Sequence, residues 1–215
     1  MRNILSIYIP LAALCAVLTF FENKIPYSFL KPIPIALLAY LVWQRLPDQA
    51  GRWLLTGLML SVLGDICIEL PFEPGFVLGL GSFLLAHIAY TVSFLYCFEF
   101  RPGRLPHALA VFVVSVAVAA GLTGATGDLM WPVNAYISSI AVMTIAAAFR
   151  DTRTLMVFIG AVCFMISDTL IAWNRFVGDI YGAGLWVMAA YYTAQALVAI
   201  GSIRDHDGRP GNQML

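Results

Sequence analysis

A polytopic α-helical membrane protein is the fold class this sequence predicts, and three observations carry that reading. Hydrophobic residues make up 61% of the 215 residues and charged ones only 11%, about half the charged share of a soluble domain. The apolar residues gather into eight stretches, each near the ~20 residues needed to cross a hydrocarbon core of about 30 Å. Short connections separate them, Pro47-Asp48, Pro71 to Gly75, Arg101-Pro102-Gly103 and Gly127-Asp128, built from residues that favour chain reversal.

The predicted spans are 4–21, 26–43, 53–70, 75–98, 107–126, 129–149, 155–173 and 181–203. The first ends Thr19-Phe20-Phe21-Glu22 with no small-x-small cleavage site, so it reads as a membrane helix rather than a removable signal. The second carries Lys31-Pro32 near its outer start. The third carries Asp65, in Leu58–Leu70, and the fourth carries His87 and Tyr90. The first and fifth are apolar enough to be lipid-facing covers. The seventh carries Asp168, in Val157–Trp173, and the eighth Tyr191, Tyr192 and Gln195. Trp131, Trp173 and Trp186 lie where an aromatic belt would. Residues 1–203 thus form one transmembrane domain, and the polar tail 204–215 is expected to be disordered.

Basic residues orient the spans. Arg2, Arg45, Arg52, Arg101, Arg104, Arg150, Arg153, Arg204 and Arg209 fall on one side, against Lys24, Lys31 and Arg175 on the other. That bias predicts cytoplasmic termini. A net charge of zero gives no reason to expect nucleic acid. Cys15, Cys67, Cys97 and Cys163 all fall within spans and form no C-x-x-C pair, so they read as small apolar fillers.

Correspondences at an offset of 103 residues suggest an internal repeat: Asp65 with Asp168, Gly79 with Gly182, Gly81 with Gly184, Ala86 with Ala189, Lys31 with Asn134. Halves of about 1–104 and 105–203 would each hold four spans and share one orientation, a parallel duplication.

Asp65 and Asp168 are the residues least expected in such segments. A carboxylate at that depth costs about 3 kcal/mol even on insertion scales, and persists where it has a partner, lines a wet cavity or does chemistry. A rise of about 1.5 Å per residue places both in the outer half of the membrane at similar height. Lys31 and Glu69 lie near Asp65, Arg175 lies two turns beyond Asp168, and polarity concentrates in spans two, three, four, seven and eight. The bland rivals are that the aspartates only hydrogen-bond neighbouring helices, that Glu69 snorkels, that Lys31 anchors the interface, and that Tyr191 and Tyr192 pack the core. His87 is the one histidine placed to join a metal site with Asp65 and Asp168. H-E-x-x-H is absent, and a metal-free, cofactor-free acid–base pair is the simpler expectation.

Lys31-Pro32-Ile33-Pro34, Ser61-Val62-Leu63-Gly64-Asp65, Phe76 through Gly79, Gly81, Phe83, His87 and Tyr90, then Ser167-Asp168-Thr169-Leu170, Asn174-Arg175-Phe176 and Tyr191-Tyr192 with Gln195 together resemble the YhhN-like lysoplasmalogenase family. The resemblance implies an eight-span enzyme, bacterial members lying in the cytoplasmic membrane. Such an enzyme would hydrolyse the vinyl-ether bond of a lysophospholipid to a fatty aldehyde and a glycerophospho-alcohol. Asp65 and Asp168 would be the catalytic pair; Lys31, Glu69, His87, Tyr90, Asn174, Arg175, Tyr191, Tyr192 and Gln195 would line the site. The chemistry suits two carboxylates, because proton delivery to the β-carbon creates an oxocarbenium ion that water captures, as in glycoside hydrolysis. A small proton-coupled transporter or lipid-binding protein would use similar features.

Overall fold

The computed structural model describes residues 1–19, 30–69, 74–151 and 154–208, with the backbone alone at Arg2. Lys24, Pro71, Arg153 and Arg209 fall outside the described residues, as does the start of the predicted second span. Among the described residues there are eight α-helices and no strand: α1 Arg2–Leu18, α2 Ile33–Arg45, α3 Gln49–Ile68, α4 Pro74–Leu95, α5 Leu105–Leu122, α6 Met130–Ala148, α7 Met156–Phe176 and α8 Ala183–Asp207. Single 3-10 turns, Pro102–Arg104 and Gly127–Leu129, lead into α5 and α6.

Six helical segments are long and apolar enough to cross a membrane: Gln49–Glu69, Pro74–Leu95, Pro102–Leu122, Gly127–Ala148, Met156–Phe176 and Ala183–Asp207. Asn3–Leu18 and Ile33–Arg45 are apolar but shorter. The chain is an all-helical integral membrane protein.

Two long helix pairs organise the bundle, α3 with α4 and α7 with α8. Gly57 and Gly64 of α3 sit against the rings of Tyr90 and Phe83 on α4, where a Cβ would overlap them. A missing side chain is what lets two helix backbones approach this closely in a membrane. Between the pairs, α2 joins α3 to α8, and α6 joins α4 to α7. α1 rests on α2 and α8, while α5 buries only Val111, Ser115 and Leu122.

One end of the bundle is closed by a buried ion pair, Arg150 Nη2 to Asp205 Oδ2 at 3.5 Å, with the guanidinium 5.2 Å from the Phe94 ring. This pair explains a departure from the sequence reading. Arg204–Asp207, expected in a disordered tail, continue α8 as regular helix, because Asp205 is held inside against Arg150.

Candidate functional site

The intramembrane acids gather at the opposite end of the helices, each in different company. Asp65 lies one turn before the end of α3 and is 1% exposed. Its Oδ2 accepts a hydrogen bond from the Tyr191 hydroxyl on α8 at 2.8 Å. Its Oδ1 is 3.7 Å from Lys31 Nζ, and the same ammonium lies 3.2 Å from Glu69 Oε1. Lys31 is carried by the chain entering α2, where the Tyr192 hydroxyl donates to its carbonyl at 3.0 Å. Asp65 is therefore met by a cation and a phenol, both suited to a carboxylate.

Asp168 on α7 has neither lysine nor arginine as an ion-pair partner among the described residues. The Tyr136 hydroxyl of α6 donates to its Oδ2 at 2.6 Å, and His87 Nε2 of α4 stands 3.5 Å from the same oxygen. His87 Nδ1 is 3.2 Å from Ser139 Oγ. The imidazole is fully buried and wedged edge-on against Tyr136 and Phe164, with centroids 5.0 and 5.1 Å away.

Phe164 links the two groups, since its ring also packs edge-on against Tyr191 at 5.5 Å. Phe164 thus packs against one aromatic partner of each acid, His87 beside Asp168 and Tyr191 beside Asp65. Below it, the Tyr90 hydroxyl donates to Gln195 Oε1 at 2.9 Å and lies 3.1 Å from Ser61 Oγ. Gln195 Nε2 is buried with no hydrogen-bond partner among the described residues.

Asp168 and Tyr136 line an apolar cleft between α4, α5, α6 and α7, with Leu80, Val118, Ala172 and Phe176 among its walls. The cleft encloses about 50 Å³. Arg175, exposed on α7, covers Phe76 at its rim with the guanidinium 3.9 Å from the ring centroid. Among the described residues no three His, Cys, Asp or Glu side chains converge as metal ligands.

The YhhN family model matches residues 27–202, an interval holding both acids and the partners described for them. The chain belongs to the YhhN family. It is similar to the lysoplasmalogenases of Mycobacterium bovis and Mycobacterium tuberculosis, each 31% identical over 156 residues, 70% of this chain and 60% of the relative. It is also similar to the lysoplasmalogenase TMEM86B of Homo sapiens, 29% identical over 178 residues, 82% of this chain and 75% of the relative. The chain thus spans about 60% of the length of the mycobacterial relatives it matches. No solved structure matches it.

In this YhhN chain the sequence-predicted residues fall into distinct places. Asp65, Lys31, Glu69 and Tyr191 form one cluster, Asp168 and His87 the second, Tyr90 and Gln195 the network beneath. Tyr192 braces the entry to α2 and accepts at its own carbonyl from Tyr8 at 2.6 Å. Asn174 Oδ1 accepts from Ile180 N at 2.8 Å, closing the loop after α7. The sequence reading left the sixth span out of the polar set, yet Tyr136 and Ser139 of α6 supply the partners of Asp168 and His87. Their i, i+3 spacing inside an apolar span was the signal for a shared polar face.

Proposed function

We propose that this protein is a lysoplasmalogenase: it hydrolyses the vinyl-ether bond of a lysophospholipid, releasing a fatty aldehyde and a glycerophospho-alcohol. The carrying observation is the contrast between Asp65, held by Lys31 and Tyr191, and Asp168, held by Tyr136 and His87 beside an apolar cleft. Vinyl-ether hydrolysis asks for such a contrast. One carboxyl gives a proton to the β-carbon, and one carboxylate steadies the oxocarbenium ion and activates water.

The alkenyl tail lies in the cleft beside Asp168, and its phosphate meets Arg175 at the rim and Lys31 nearby. Because the cleft is narrow, a wall must shift to admit a tail; α5, with its three buried residues, is the wall that yields. Glu69, Tyr90 and Gln195 keep Lys31 and the surrounding aromatic side chains in place.

The same proposal covers the architecture. Eight spans cross the bacterial cytoplasmic membrane with both termini inside, in two parallel repeats. In support, α5 begins 103 residues after α1, and α6 ends 103 residues after α2. The pairing of α2 with α8 also mirrors that of α6 with α4, as a two-fold axis along the membrane normal requires.

The test is to incubate purified protein with lysoplasmalogen in D₂O and analyse the products by mass. The reading expects free aldehyde carrying one solvent deuterium on the carbon beside the carbonyl. Intact substrate, together with lipid or proton flux in proteoliposomes, would reject hydrolysis in favour of transport.

A further inference from the structure

We infer that Asp168 is the acid that protonates the vinyl-ether carbon, its proton lying between Asp168 and His87, while Asp65 is the carboxylate that faces the cation. This assignment rests on the vinyl-ether reading above and deepens it.

Ser139 has one hydroxyl proton, and its Oγ lies 2.7 Å from the Tyr136 carbonyl, so the proton goes there. His87 Nδ1, 3.2 Å from that Oγ, must then be the donor of the pair. A neutral imidazole with Nδ1–H carries a lone pair on Nε2. That lone pair faces Asp168 Oδ2 at 3.5 Å, is buried, and meets no hydrogen-bond donor among the described residues. Two buried lone pairs turned toward each other are unfavourable, and one proton between them removes the conflict. On the carboxyl, that proton leaves both groups neutral; on the ring, it would create a buried ion pair whose desolvation is costly.

The surroundings agree. Asp168 is faced by His87 from α4 and Tyr136 from α6. Asp65 is faced by Lys31, by Glu69 of its own helix end and by Tyr191 of α8. The cationic partner is thus on the Asp65 side.

The reaction balances on these two groups. The Asp168 proton passes to the β-carbon, where the π electrons form the C–H bond and leave an oxocarbenium ion. Water adds to the adjoining carbon and gives a proton to Asp65. As the hemiacetal collapses, Asp65 returns that proton to the departing glycerol oxygen, and the hydroxyl proton goes to Asp168. Both carboxyls end as they began, and one water is consumed. His87 is a positioning residue in this scheme: it fixes where the Asp168 proton sits.

Infrared spectroscopy of the purified, substrate-free protein at neutral pH tests the assignment. Expected is the C=O stretch of a protonated carboxyl, sensitive to D₂O, present in wild type and Asp65→Asn and absent from Asp168→Asn. In His87→Gln the band should move, and kcat should fall about tenfold with KM unchanged, as loss of proton positioning predicts. A band lost in Asp65→Asn but kept in Asp168→Asn would overturn the assignment. Because variants can misfold, nitrogen-15 NMR of His-labelled wild type gives an independent check: for His87 a protonated Nδ1 and a bare Nε2 are expected, and a protonated Nε2 would overturn it. Failure of the underlying reaction is seen separately, as no aldehyde from the wild type.

Discussion

The hydroxyl of Tyr191 rests 2.8 Å from Oδ2 of Asp65, joining residues 126 positions apart in the sequence. This bond ties α8 to α3, the two helices that would otherwise meet only lightly, and sets one of the two oxygens of a buried acid. The second oxygen belongs to Lys31. Asp65 is therefore oriented from two directions, as expected of a group whose geometry matters to a reaction.

Replacing Tyr191 by Phe removes the bond while keeping the ring against Phe83 and Phe164. The expected cost in stability is about 1 kcal/mol, with kcat reduced roughly tenfold, in line with a loss of charge positioning. Turnover equal to wild type would mean that the bond serves packing alone.

Lys31 balances two acids, Asp65 and Glu69. Lys31→Met takes the ammonium away from Asp65 and Glu69, and breaking a buried pair from one side costs about 3 kcal/mol; the part-exposed Glu69 lowers that figure. Lys31→Met combined with Glu69→Gln should recover part of the loss in a denaturation titration. A double variant no more stable than the single one would show that Glu69 contributes nothing to the cluster.

Ala172 lies in the wall of the cleft, so Ala172→Trp should fill the space assigned to the alkenyl tail. KM for long-chain substrate is expected to rise at least tenfold, with a smaller rise for a short-chain analogue. An unchanged KM for both would place the tail elsewhere.

Much of this was legible in the sequence because apolar runs and intramembrane charges are both strong signals. Among the described residues a helix lies in each of the eight predicted stretches, six of them long and apolar enough to cross a membrane, and Asp65, Lys31, Glu69 and Tyr191 do meet. What sequence could not give was partner choice across helices. Tyr136 reads as an ordinary aromatic residue in an apolar span, and only the packing of α6 between α4 and α7 brings it to Asp168. Phe164, which bridges the two acid groups, carries no polar mark at all. The Arg150–Asp205 pair was missed for the opposite reason: a polar stretch near a terminus reads as solvated, although its first turn is held inside.

That pair offers a control far from the acids. Arg150→Met leaves Asp205 buried without its ion pair, so stability should fall by about 3 kcal/mol, while KM for substrate stays near wild type in the folded fraction. A KM shift as large as the one expected for Ala172→Trp would mean that the two ends of the bundle are coupled.

The most direct measurement is turnover of lysoplasmalogen by purified Asp65→Asn and Asp168→Asn, each shown to be folded by its thermal midpoint in detergent. The account predicts that kcat falls at least about a hundredfold in each, with KM within a few-fold of wild type. Near-normal aldehyde release from either folded variant would contradict it.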